Sequence, residues 1–142
     1  MPLNNNPIYS GVGDIQFTTV LTAINSSYDG SGANSATVFS ASISGSFVQR
    51  VRFKASGSTT ATVARVSINN GQATGSAANN VLFDEITLPL TSATQTAATA
   101  VYEVPLNVAL PAGYRILTTL ATAQSAGGGW YASAVGGSYT TP

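Results

Sequence analysis

Histidine and cysteine are both absent from this chain, and only ten of its 142 residues are charged. The ten are Asp14, Asp29, Asp84, Glu85 and Glu103 against Arg50, Arg52, Lys54, Arg65 and Arg115. Without Cys there is no disulfide and no thiolate metal site, and without His the commonest other zinc ligand is gone. The residue types that supply most general bases and activated nucleophiles are missing, so an enzyme is not expected. Charged residues make up 7% of the chain, against about 25% in an ordinary domain. The net charge is zero, which argues against a nucleic-acid partner, since such domains carry a positive excess. No run of roughly 18 apolar residues suits a membrane helix, and the start Met1-Pro2-Leu3-Asn4-Asn5-Asn6-Pro7 lacks the basic and apolar regions of a secretory signal. No cofactor is expected: Gly11-Val12-Gly13 has no strand–turn–helix setting, and there is no phosphate-binding G-K-[ST].

What remains is strand material. Ala, Val, Thr and Ser fill segments cut about every ten residues by Gly, Pro and Asn, the spacing of an all-β sandwich or barrel. β-branched residues dominate between the cuts. The sequence predicts an extended N-terminal arm over 1–13 and one sandwich domain over 14–142. Eight strands are predicted: 17–24, 35–43, 46–55, 61–68, 81–88, 101–110, 114–122 and 130–135. Pro105 demotes the sixth to an edge strand or a bulge. Segments 72–80 and 91–99 read as loops, and 136–142 as a tail that is loose or docked on a neighbour. About eight antiparallel strands suit a jelly-roll-like β-sandwich. An immunoglobulin-like sandwich is second, because its Cys and Trp hallmarks are missing.

The sharpest local pattern is Phe47-Val48-Gln49-Arg50-Val51-Arg52-Phe53-Lys54-Ala55. Alternation places Phe47, Val51, Phe53 and Ala55 on one face and Arg50, Arg52 and Lys54 on the other, as a stripe of cations about 7 Å apart. The stripe is a candidate contact for an acidic partner surface. The plainer reading is a solvated strand face balanced by Glu85 or Glu103. The expected core is Phe47, Val51, Phe53, Val66, Ile68, Ile86, Leu88, Leu106, Val108 and Leu110. Asp84 and Glu85 are neighbours that alternate across a strand, so they make a poor catalytic pair. Asp29 to Asn34 has one carboxylate where a calcium loop has several, and reads as a turn. Tyr102, Tyr114, Trp130, Tyr131 and Tyr139 either fill core and interface or form a sugar-stacking platform.

Several runs resemble the small structural proteins of tailed bacteriophages. They are Val51-Arg52-Phe53-Lys54-Ala55-Ser56-Gly57, Thr60-Ala61-Thr62-Val63-Ala64-Arg65-Val66, Asn69-Asn70-Gly71, Leu106-Asn107-Val108-Ala109-Leu110-Pro111-Ala112-Gly113-Tyr114-Arg115-Ile116, Gly129-Trp130 and Gly136-Gly137-Ser138-Tyr139. The best-understood class of that kind is the capsid cement, or decoration, protein. The resemblance implies a non-enzymatic virion component, made in the host cytoplasm, on the outer surface of the head. Its partners would be the major capsid protein and further copies of itself. Closed symmetry and the threefold sites of icosahedral shells favour a trimer over a dimer. Candidate partner-binding residues are Arg50, Arg52 and Lys54, with Leu3, Asn4, Asn5, Asn6, Ile8 and Tyr9 of the arm, which could add a strand to a neighbour's sheet edge. The alternative is a carbohydrate- or receptor-binding module of a head spike or tail.

Overall fold

A computed structural model describes residues 10–125 and 127–140. Eight strands follow in order: β1 Ser10–Phe17, β2 Ala36–Ser40, β3 Ser46–Ala55, β4 Thr62–Asn69, β5 Asn80–Leu88, β6 Val101–Leu110, β7 Arg115–Leu120 and β8 Trp130–Tyr139. The only helical segment among the described residues is a single 3-10 turn, Ala77–Asn79.

The strands form two four-stranded sheets, ordered β1-β8-β3-β6 and β2-β7-β4-β5. Every pairing is antiparallel. The order has a simple origin. β1 pairs with β8, β2 with β7, β3 with β6 and β4 with β5, as in one long hairpin folded at its middle. Rolling that hairpin adds the contacts β3–β8 and β4–β7 and splits it into two facing sheets. That is the jelly-roll arrangement the strand count predicts.

Between the sheets lies a core that includes Val51, Phe53, Val66, Leu88, Leu106 and Leu110, all expected, together with Phe39, Ile116, Leu120 and Trp130. Ile68, Ile86 and Val108 are partly buried against it. Tyr102 meets Trp130 edge to face, with ring centroids 5.8 Å apart and planes at 74°, a favoured aromatic geometry.

Phe47 departs from expectation: it is half-buried, on the outward side. A bulge lies between Val48 and Arg50, against both neighbouring strands. Ser46 and Val48 point inward before it, Val51 and Phe53 after it. One extra residue reverses the parity that a plain strand would keep. The partner strand β6 shifts at the same point, where Asn107 has φ +50, a left-handed conformation that Asn tolerates better than most residues.

The chain ends of the sandwich are corrected as well. The first strand starts at Ser10 rather than Phe17, so Ser10–Gly13 leave the expected arm and join β1. The last strand continues through Gly136 to Tyr139, which the sequence assigns to a tail. These two glycine-bearing stretches pair with each other, Gly13 against Gly137 and Asp14 against Gly136. Backbone pairing, not side-chain propensity, holds them. Gly136 has a steric reason to be glycine: a Cβ there would sit 2.3 Å from the Phe47 carbonyl oxygen, beside the bulge.

A candidate docking face

The two outer faces of the sandwich are treated differently. Outside β2-β7-β4-β5, the loop from Thr18 to Ser35 folds over the sheet as a roof from Ile24 onward, after Thr18 and Leu21 have bonded to β8 of the other sheet. Ile24 bridges to Leu120, and the Asn25 backbone N–H donates to the Leu120 carbonyl at 2.7 Å. The Asn25 side chain donates to the carbonyls of Ser31 and Ala33 at 2.9 and 2.8 Å, and accepts from the Ser27 N–H. These bonds fix the loop from within. Asp29 Oδ1 accepts from the Ser31 N–H. The Ser31 hydroxyl and backbone hold the Asp29 carboxyl below its usual range.

Beneath this roof lies Arg65, only 6% exposed. Tyr28 covers its guanidinium at 4.0 Å from the ring centroid. Arg65 Nη1 donates to the Asn25 carbonyl at 3.4 Å, and Nε lies 3.5 Å from Glu85 Oε2. The charge has a ring, a carbonyl and a carboxylate around it, as a buried cation requires. Leu117 is fully buried, although it lies on the outward side of β7, paired with Ser67.

Outside β1-β8-β3-β6 no such roof lies over the sheet centre among the described residues. The registers build its surface in rows. One row runs Ile15, Val135, Arg50, Pro105; the next runs Phe17, Ser133, Arg52, Glu103; a third holds Tyr131, Lys54 and Val101. Arg50, Arg52 and Lys54 therefore form the predicted stripe on this face. Glu103 is its neutralising neighbour, with Oε1 at 3.4 Å from Arg50 Nε and 2.9 Å from Arg52 Nε. Neither Nε aligns a hydrogen bond, so the contact is one of charge alone. Glu85, the other partner considered from the sequence, belongs to Arg65 in the opposite sheet. Lys54 Nζ donates to the Thr99 carbonyl in the β5–β6 loop. Exposed surface ion pairs of this kind contribute about 0–1 kcal/mol, so the stripe is not explained by stability.

Apolar groups flank the cations. Phe17 is 76% exposed and Ile15 67%, and Val101 and Tyr131 are exposed too. Single exposed apolar residues are ordinary, but a contiguous group marks an interaction surface. The arm candidates Leu3, Asn4, Asn5, Asn6, Ile8 and Tyr9 lie outside the described residues.

The five aromatics of the possible sugar platform are not brought together. Trp130 and Tyr102 are in or against the core, while Tyr131 is on the outer face. Asp84 and Glu85 lie on β5, an outermost strand, and Glu85 engages Arg65. Among the described residues no group of three or more acidic side chains gathers as a metal site. The sequence did not reveal the roof or the burial of Arg65. The one hint is local: Arg65 stands in a strand otherwise rich in Val, Ala and Ile, where a solvated charge would be out of place.

No family model, no curated protein and no solved structure matches this chain.

Proposed function

We propose that this chain is a non-enzymatic bacteriophage virion protein, a capsid cement protein that binds the outside of the head and stabilises contacts between major capsid subunits. The observation that carries the reading is the contrast between the faces. A chain with ten charges covers one outer face with its own loop, and leaves the other bearing a cationic stripe between exposed apolar residues. Such a face is suited to burial against a partner: the apolar residues supply the driving force and the charges the selectivity. Jelly rolls recur in viral capsids and also in lectins, so the fold by itself does not choose between them. The resemblance of the strand and turn runs to phage structural proteins favours the virion.

In this reading the shell lies against the β1 side of the face, at Ile15 and Phe17. Purified particles provide the test. A cement protein is present in hundreds of copies on the shell, read from a stained gel against the major capsid band. Ile15→Asp with Phe17→Asp then abolishes binding to stripped heads, with the melting temperature kept. A few copies per particle, located at the tail, would replace this reading with a receptor- or carbohydrate-binding module.

A further inference from the structure

We infer that copies of this chain join head to tail, with the acidic outer edge of β5 in one copy docked on the cationic stripe of the next. The argument begins with where the charges fall. On the open face Arg50, Arg52 and Lys54 outnumber Glu103, an excess of two positive charges. The chain as a whole is neutral, so the rest of it carries an excess of two negative charges. Arg65 is buried against Glu85, and Arg115 reaches the Gln72 carbonyl from β7. Asp14 accepts from Gln16 and Ser138 at the far edge, and Asp29 is turned into its own loop. That leaves Asp84 on β5 as the exposed carboxylate without a cationic neighbour among the described residues, since the adjacent Glu85 lies on the other face of the strand against Arg65.

The surroundings of that carboxylate match what the stripe needs. β5 is the last strand of its sheet, and its outer side has no strand partner among the described residues. Val81 is 58% exposed, Phe83 41% and, just beyond the strand, Leu90 67%. Phe83 is the extra residue of a bulge between Val66 and Ser67 on β4, which pushes the edge outward. Both surfaces thus combine apolar side chains with charge, and the charges are opposite in sign. Complementary potentials of this kind steer encounter and fix register, while like-charged alternatives are penalised.

The two surfaces differ, so the contact is heterologous and propagates from copy to copy. A sheet edge and a sheet face point about a right angle apart. Successive copies therefore turn, and the contact makes a ring where that rotation closes and a helical assembly where it does not. The β1 side of the face stays free in every copy. A ring would present that side several times, which raises avidity for a repetitive surface.

The test is sedimentation velocity of the isolated protein at micromolar concentrations, and needs no capsid. Wild type is expected as an oligomer that dissociates in 1 M salt, where the screening length is about 3 Å. Asp84→Lys and Arg52→Glu should each weaken association about tenfold. Combined in one chain they restore it, because the swapped charges meet again. Melting curves establish that each variant is folded; if either is not, Asp84→Asn and Lys54→Gln carry the same comparison as partial losses of association. A monomeric wild type, a combined variant no better than the weaker single one, or a dimer indifferent to both changes would overturn the inference. Copy number per particle is measured separately, so this proposal and the cement reading can fail independently.

Discussion

Three phenylalanines offer a direct measurement of which face each strand buries. Phe53 is fully buried, paired across β3 with Ala132 and Tyr102. Phe47 is half-buried, on the outward parity set by the bulge. Phe17 is 76% exposed on β1. Truncating a fully buried Phe to Ala costs about 3–5 kcal/mol, from lost transfer free energy plus the cavity left behind. A half-buried ring forfeits roughly 1 kcal/mol, about half the transfer term with little cavity. An exposed one changes stability by less than about 0.5 kcal/mol. The whole domain is stable by about 5–15 kcal/mol, so Phe53→Ala removes a large fraction. At about 3 °C per kcal/mol for a chain of this size, Tm should fall by roughly 10–15 °C for Phe53→Ala, about 3 °C for Phe47→Ala and hardly at all for Phe17→Ala. Urea unfolding checks the order independently, since the slope should stay constant while the midpoint moves. If Phe47→Ala costs as much as Phe53→Ala, the bulge assignment is wrong. If Phe53→Ala costs under about 1 kcal/mol, so is the core.

Other perturbations test the roof and the chain ends. Tyr28→Ala removes the ring from Arg65 and should cost about 1 kcal/mol, with protease cleavage between Ser26 and Ala33 accelerated while the sheets stay protected. Because the Asp29 carboxyl is held below its usual range, its stabilising contribution is fully present above the unfolded value. It is lost as pH falls through the folded value, in the region below about pH 4. Asp29→Asn should flatten that part of the Tm-against-pH curve, and an unchanged curve would remove Asp29 from the account. Gly128→Ala places a Cβ 1.6 Å from the Ser58 carbonyl oxygen, so the two loops must separate, at about 1–3 kcal/mol by analogy with overpacking. Deleting residues 2–9 should leave the melting transition in place, whereas deletion through Gly13 removes the β1–β8 pairs at that end and should lower Tm by several degrees.

The parts of the fold legible in the sequence were those written in punctuation. Gly45 and Gly57 bound β3, and a Thr/Ala-rich stretch and Pro111 bound β6, at the same residues in sequence and structure, 46–55 and 101–110. Pro105 correctly signals an outermost strand, since its missing N–H costs nothing there, and a register shift lies beside it. Patterning failed where backbone geometry decides. The Gln49 bulge reverses a face that simple alternation predicts, and nothing in Phe47-Val48-Gln49-Arg50 announces it. Gly136 and Gly137 look like a loop by propensity, yet at Gly136 the close approach to β3 demands a residue without a side chain. The cationic stripe was visible because it is local to one strand. The roof over Arg65 was not, because the Asn25–Tyr28 loop, Arg65 and Glu85 come from three places in the chain.

How the outermost strands are protected shows where contact is most plausible physically. A free strand edge invites pairing with another chain unless something blunts it. β2 is capped: the Gln16 amide donates to the Ser40 carbonyl at 3.0 Å and accepts from the Ser40 N–H at 2.9 Å, which mimics a paired strand and ties the two sheets together. β6 carries Pro105 and Glu103 on its exposed side. β5 has a bulge and the exposed Asp84 carboxylate, which repels its own kind but suits a cationic surface. β1 has a bulge only at its start, between Ser10 and Val12; beyond it, Ile15 and Phe17 stand open on the outer face. A protein meant to stay alone gains nothing from leaving that strand unblunted, while one held in an assembly gains an adhesive strip. Placing lysines at Ile15 and Phe17 should therefore raise solubility and leave Tm within about 2 °C, since exposed positions contribute little to the fold. A large fall in Tm would mean that β1 is stabilised by contacts within the domain, and the strip would lose its claim to be an interface.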